Sequence, residues 1–186
     1  MKFVSKPMAR VALIVMIIAA AASLASAQLN SGAQAITLNA TLAESLTVNL
    51  SANAVNFTLT SGSAANAGST NITATTSWVL SSGRTAVGVY AYFANAASAL
   101  SGGGNNIPSS AFQISDNGGA AAALTNSVAF GGANGGLALA NVAITNANRA
   151  GNRNDVMAFN IDLSGVPQLP AAAYTGTLNI QAQATP

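Results

Sequence analysis

Few side chains in this sequence can do chemistry. There is no His and no Cys, and only six Lys or Arg stand against four Asp or Glu. Without imidazole or thiol, the common nucleophile and base pairs and the usual zinc ligand sets cannot be assembled. Glycoside hydrolysis would need two carboxyl groups converging on one cleft. Asp155 and Asp162 are seven positions apart, which puts them on opposite faces of a strand. Glu44 and Asp116 each stand alone. The residues therefore predict no catalytic group, no cofactor and no metal centre, and a protein that is not an enzyme. Oxygen ligands for calcium are offered only by Asp116 with Asn117, or by Asn152 and Asn154 with Asp155. Each set has one carboxylate, and such residues ordinarily bond their own backbone in turns.

Contact chemistry is better provided. Tyr90 and Tyr92 alternate with Val89, Ala91 and Phe93, so both rings share the face opposite that apolar set. Aromatic rings on a sheet face can hold a sugar or a peptide, which makes Tyr90 and Tyr92 candidate partner contacts. Their other use would be packing beneath a loop or in the second layer of a sandwich. A second candidate is the series Ile36, Leu38, Ala40 and Leu42, continued beyond Glu44 by Leu46, Val48 and Leu50. At about 3.3 Å per residue the run from Ile36 to Leu50 would extend roughly 50 Å, far beyond a usual strand of about 5–6 residues. An unpaired carboxylate on a core face is costly, so Glu44 marks the break. Either the strand switches sheets at Glu44, or Ile36 to Leu42 leaves its own domain and completes a neighbour's sheet. In the second case Ile36, Leu38, Ala40 and Leu42 are strand-exchange residues.

The compartment follows from the first residues. Lys2, Lys6 and Arg10 precede an unbroken apolar run from Val11 to Ala22, and Ala25-Ser26-Ala27 follows. This is the pattern of a secretory signal peptide cleaved after Ala27, its apolar run shorter than the roughly 20 residues of a spanning helix. The chain thus reads as a leader, 1–27, and one domain, 28–186. It is exported to the periplasm or outer surface of a bacterium, with no membrane span after cleavage. Cleavage leaves Arg84, Arg149 and Arg153 against Glu44, Asp116, Asp155 and Asp162, a formal charge of −1 in place of +2. Three Arg cannot build the clustered basic surface that a polyanion needs, so no nucleic-acid partner is expected. The partners left are other copies of the chain, cell wall or glycan.

The elements that must position these residues are strands. Ile72, Ala74, Trp78 and Leu80 fall on one parity, and Val87, Val89, Ala91 and Phe93 repeat the pattern after Ser81-Ser82-Gly83-Arg84. Period-two alternation around a Gly-containing turn predicts a hairpin over 71–94. Short strands are also expected at Val55–Leu59, Phe112–Ser115, Val128–Phe130 and Leu137–Ile144, the last with imperfect alternation. An Asn-rich turn is expected at 146–154, a strand at Met157–Leu163, and a final strand from Tyr174 to Ala184. The Asn-Gly pairs at Asn117 and Asn134 favour positive φ and tight turns. The stretch 94–110 allows one helical turn before Gly102-Gly103-Gly104 and Pro108 end it. Many short strands without a convincing helix predict an all-β fold, a single antiparallel two-sheet β-sandwich of Ig-like or jelly-roll-like kind.

Two stretches carry a family resemblance. Ser77-Trp78-Val79-Leu80-Ser81 resembles the first Trp-x-Leu motif of WxL-type cell-wall-binding domains, and Tyr174-Thr175-Gly176-Thr177-Leu178, with the final Pro186, resembles the segment where such domains carry their second. Ile180 and Ala182 stand where that second motif has Trp and Leu. The alternating first and last strands are similar to those of fimbrial subunits and spore coat protein U type domains, although the disulfide usual near the start of those domains is missing. These resemblances imply a structural or adhesive surface protein of fimbrial type, or a soluble carbohydrate- or cell-wall-binding module.

Overall fold

The computed structural model describes residues 31–186; the leader and its cleavage point after Ala27 lie outside them. The chain divides after Thr41. Residues 31–41 carry neither helix nor strand and their side chains are exposed. The strands found among the described residues, eleven in number, all belong to the unit Leu42–Pro186. Among the described residues no helix is long and apolar enough to cross a membrane.

Eleven strands arise from the period-two segments and their turns: β1 Ser45–Leu50, β2 Asn66–Ala67, β3 Ile72–Val79, β4 Ala86–Tyr92, β5 Leu100–Gly102, β6 Asn105–Ile107, β7 Phe112–Asp116, β8 Ala122–Ala123, β9 Gly136–Ala143, β10 Ala150–Ile161 and β11 Asn179–Thr185. The larger sheet runs β1-β3-β10-β7-β8, with β2 also paired to β10; the second runs β11-β4-β9, and β5-β6 form a small hairpin. All pairings are antiparallel. The fold is an all-β sandwich, its core formed where the inward stripes of the two main sheets meet. Ile72, Ala74 and Trp78 on β3 face that core, as do Val87, Val89 and Ala91 on β4, all buried.

The expected hairpin over 71–94 is not one. β3 lies between β1 and β10, whereas β4 lies between β11 and β9. The intervening turn carries the chain from one sheet to the other, tied by Leu80 N–H to Arg149 O at 2.8 Å and Thr85 N–H to Thr185 O at 2.9 Å. Alternation determines which face a strand buries and is silent on which strand lies beside it.

The long first strand also differs. Only Ser45–Leu50 pairs, with β3, so the chain does not switch sheets at Glu44. Glu44 instead stops the strand: its Oε1 accepts from Ser81 N–H at 2.7 Å and from Arg84 Nε at 3.3 Å. The expected turn over 146–154 is shorter, because Ala150–Asn154 already belong to β10. Its inward positions there are Gly151, Arg153 and Asp155, small or charged, and they hide the strand from a hydrophobic pattern. In β9 the broken alternation is a bulge. Val89 pairs Ala140 while Tyr90 pairs Ala138, leaving Leu139 as the extra residue. Val128–Phe130 is loop, and Phe57 makes only an isolated bridge to Gly68. Asn117 and Asn134 do take positive φ, 50° and 58°.

Candidate functional site

The inner face of the larger sheet is not fully covered. Beyond Leu50 the chain leaves β1, and β11 does not begin until Asn179. Between the two departing segments, 51–59 and 171–178, lies a groove of about 900 Å³ with an apolar floor and mixed walls, within the range of ligand-sized cavities. Its floor is made by Ile72, Phe112, Met157, Phe159 and Ile161. Phe112 anchors it, with Phe57, Phe93 and Phe159 ring centroids at 5.7, 5.3 and 6.0 Å. The side chains of Val55, Phe57, Leu59 and Leu178 are half-buried against this core.

Both walls keep open backbone. Among the described residues, Thr175 alone in 171–178 exchanges backbone hydrogen bonds, with Ser101 at 2.9 and 3.0 Å, and residues 52–55 make none. β1 and β11 are the end strands of their sheets and run along the same side of the sandwich. The wall at 171–178 is held by close backbone packing that only glycine permits. A Cβ on Gly176 would stand 1.9 Å from Ala99 O, and one on Gly102 would stand 2.0 Å from Ala173 O. Behind the other wall the buried Asn66 staples the loop to β10, its Nδ2 donating to Ile161 O at 2.8 Å and its Oδ1 accepting from Thr60 N–H at 2.7 Å.

The candidate strand-exchange residues Ile36, Leu38 and Leu42 are 84, 88 and 84% exposed, and Ala40 is exposed too. Three large apolar side chains in one short alternating segment, all in water, are the most conspicuous exposed apolar feature of the described chain.

Tyr90 and Tyr92 lie together on the outer face of the second sheet, half-buried. Phe130, from the loop before β9, packs on both, with centroids at 6.0 and 5.9 Å. The Tyr92 hydroxyl donates to Gln181 Oε1 at 2.7 Å. The hydroxyl end of Tyr90 reaches over Gly88, where a Cβ would meet it at 2.4 Å. Nothing in the sequence pattern pointed to Phe130 as the third ring.

The carboxylates do not assemble into an acid-base pair in the groove. Glu44 is held down to about 2 by the hydrogen bond from Ser81 N–H and by Arg84. Asp162 caps a turn through the hydroxyl and N–H of Ser164, which lower its pKa. Asp116 and Asp155, distant in sequence, come together around Arg153 where β7 and β10 pair. Asn152 and Asn154 point away from Asp155, exposed on the opposite face. Among the described residues no three of His, Cys, Asp and Glu group closely enough to hold a metal ion.

Comparison with protein-family models, with curated proteins and with solved structures finds no match to this chain.

Proposed function

We propose that this is an exported, non-enzymatic structural or adhesive protein of the bacterial surface, a fibre-type subunit in which Ile36–Leu42 of one copy lies along the groove of the next. One observation carries the reading: an exposed segment of alternating apolar residues and a groove with an apolar floor and open backbone on both walls occur in the same chain. Magnitudes decide what kind of occupant fits. Burying Ile36, Leu38 and Leu42 would contribute about 1.5–3 kcal/mol each. Ordering a segment of this length costs about 1–2 kcal/mol per residue, so apolar anchors alone do not hold it. Backbone hydrogen bonds to the walls, worth about 1 kcal/mol each net, are needed as well. An extended strand supplies both; a free lipid or small apolar ligand supplies only the first.

The test is sedimentation of the exported protein over a range of concentrations, beside Leu38→Asp. Concentration-dependent oligomers that disappear in Leu38→Asp, with the variant still melting cooperatively and at a temperature no longer dependent on concentration, are expected. A parent protein that stays monomeric at every concentration ends the reading.

A second reading is favoured by the cluster of Tyr90, Tyr92 and Phe130 with Gln181 beside it. Rings with an amide at their edge suit the C–H face and hydroxyls of a neutral sugar, as in a soluble carbohydrate- or cell-wall-binding module. A monomer retained by peptidoglycan or polysaccharide, and released by Tyr90→Ala, would favour it over the fibre.

A further inference from the structure

We propose that Asp116 keeps its proton in the folded protein and donates it across the buried cluster towards Asp155. Asp155 is fully buried and the Asp116 side chain is 19% exposed. The same two groups grip both. Arg153 reaches Asp155 Oδ1 through Nε at 2.6 Å and Asp116 Oδ2 through its terminal nitrogen at 3.6 Å. Asn117 Nδ2 donates to Asp116 Oδ2 at 3.2 Å and to Asp155 Oδ1 at 3.4 Å. This shared grip brings the two carboxyl groups side by side.

The other oxygen of each, Asp116 Oδ1 and Asp155 Oδ2, is buried with no donor. An unsatisfied buried acceptor is costly, and more so when charged. Two carboxylates and one guanidinium leave the cluster at −1, which one proton brings to zero while supplying the missing donor. Among the described residues no other titratable side chain bonds to the cluster, and the one further buried polar group without a partner is the Thr76 hydroxyl. In register on β3, Asp155 faces Ala74 and Arg153 faces Thr76, and the inward residues of β4 are Val87, Val89 and Ala91. Glu44 is engaged with Arg84, Arg149 with Asn146 and Ser81, and Asp162 with Ser164. Burial first, and the Asp155 charge second, push the Asp116 pKa up, against the opposing pull of Arg153. Like-charge carboxyl pairs elsewhere share a proton for the same reason.

The sign of the pH effect follows. A carboxyl whose folded pKa is raised contributes stability that is complete below its unfolded value and is lost as pH rises through the folded value. Asp116→Asn imitates the protonated form, since its amide can accept from Arg153 and donate towards Asp155.

The experiment is an NMR titration of the side-chain carboxyl carbons of the protein, together with melting temperatures of the parent and Asp116→Asn at several pH values. The Asp116 carbon is expected to remain in its protonated position above the pH, about 3.9, at which an unperturbed Asp loses its proton. Asp116→Asn is expected to melt higher than the parent at pH 8, by roughly 2 °C or more, and to lose the decline with rising pH. An Asp116 carbon that titrates at or below the ordinary Asp value of about 3.9 overturns the proposal. So does a parent whose melting temperature at pH 8 rises with calcium while that of Asp116→Asn does not, because a cation then fills the role given to the proton. If Asp116→Asn does not fold, the titration of the parent decides alone.

Discussion

Trp78 shows how one side chain joins two strands. Its ring is 5% exposed and its indole N–H donates to Asn148 O at 2.9 Å. Gly151, its partner in register on β10, leaves room for the ring, since a Cβ there would stand 3.2 Å from Cζ2. Trp78→Ala is expected to cost about 3–5 kcal/mol, read as a lower urea midpoint with an unchanged slope. A midpoint equal to the parent's would place the ring outside the core. Glu44 makes a separate prediction. Its pKa falls from 4.5 to about 2 on folding, so its contribution is complete above 4.5 and lost as pH falls towards 2. Glu44→Gln should therefore melt with a shallower decline over that acid interval than the parent does. A slope equal to the parent's would mean that the Ser81 and Arg84 contacts do not form in solution.

The wall at 171–178 depends on two glycines that no side-chain pattern singles out. Gly102 and Gly176 let the segment lie against 99–103 closely enough for the Ser101 and Thr175 backbone bonds. Gly176→Val is expected to cost about 1–3 kcal/mol by overpacking and to speed hydrogen exchange at the Ser101 and Thr175 amides. Unchanged exchange there would show that the contact does not hold the wall. Sequence reading fares unevenly among the strands for a physical reason. β3 and β4 alternate cleanly because one face of each is core. The start of β10 does not, because its inward side chains are Arg153 and Asp155, whose burial depends on partners elsewhere in the chain. β9 loses its period at a bulge, where one residue changes the parity of all that follow.

For the whole molecule the decisive segment is the one before β1. Ile36, Leu38 and Leu42 are exposed, so a variant beginning at Glu44 should keep the parent's cooperative melt, stop assembling, and bind an added Ile36–Leu42 peptide. Loss of the cooperative melt would show that this segment belongs to its own sandwich, as a sheet-switching strand would. The groove itself was not legible beforehand. Phe57, Phe112 and Phe159 are scattered in sequence, and their meeting depends on strand order.

The sequence by itself determined the all-β class, the inward faces of β3 and β4, the positive-φ turns at Asn117 and Asn134, and the break at Glu44. Each follows from local periodicity or from the conformational preference of one or two residues. Tertiary structure alone decided that β3 and β4 lie in different sheets, that a groove opens between 51–59 and 171–178, and that Asp116 meets Asp155. These depend on which strands become neighbours, and that is set by the summed burial and hydrogen bonding of segments far apart in the chain.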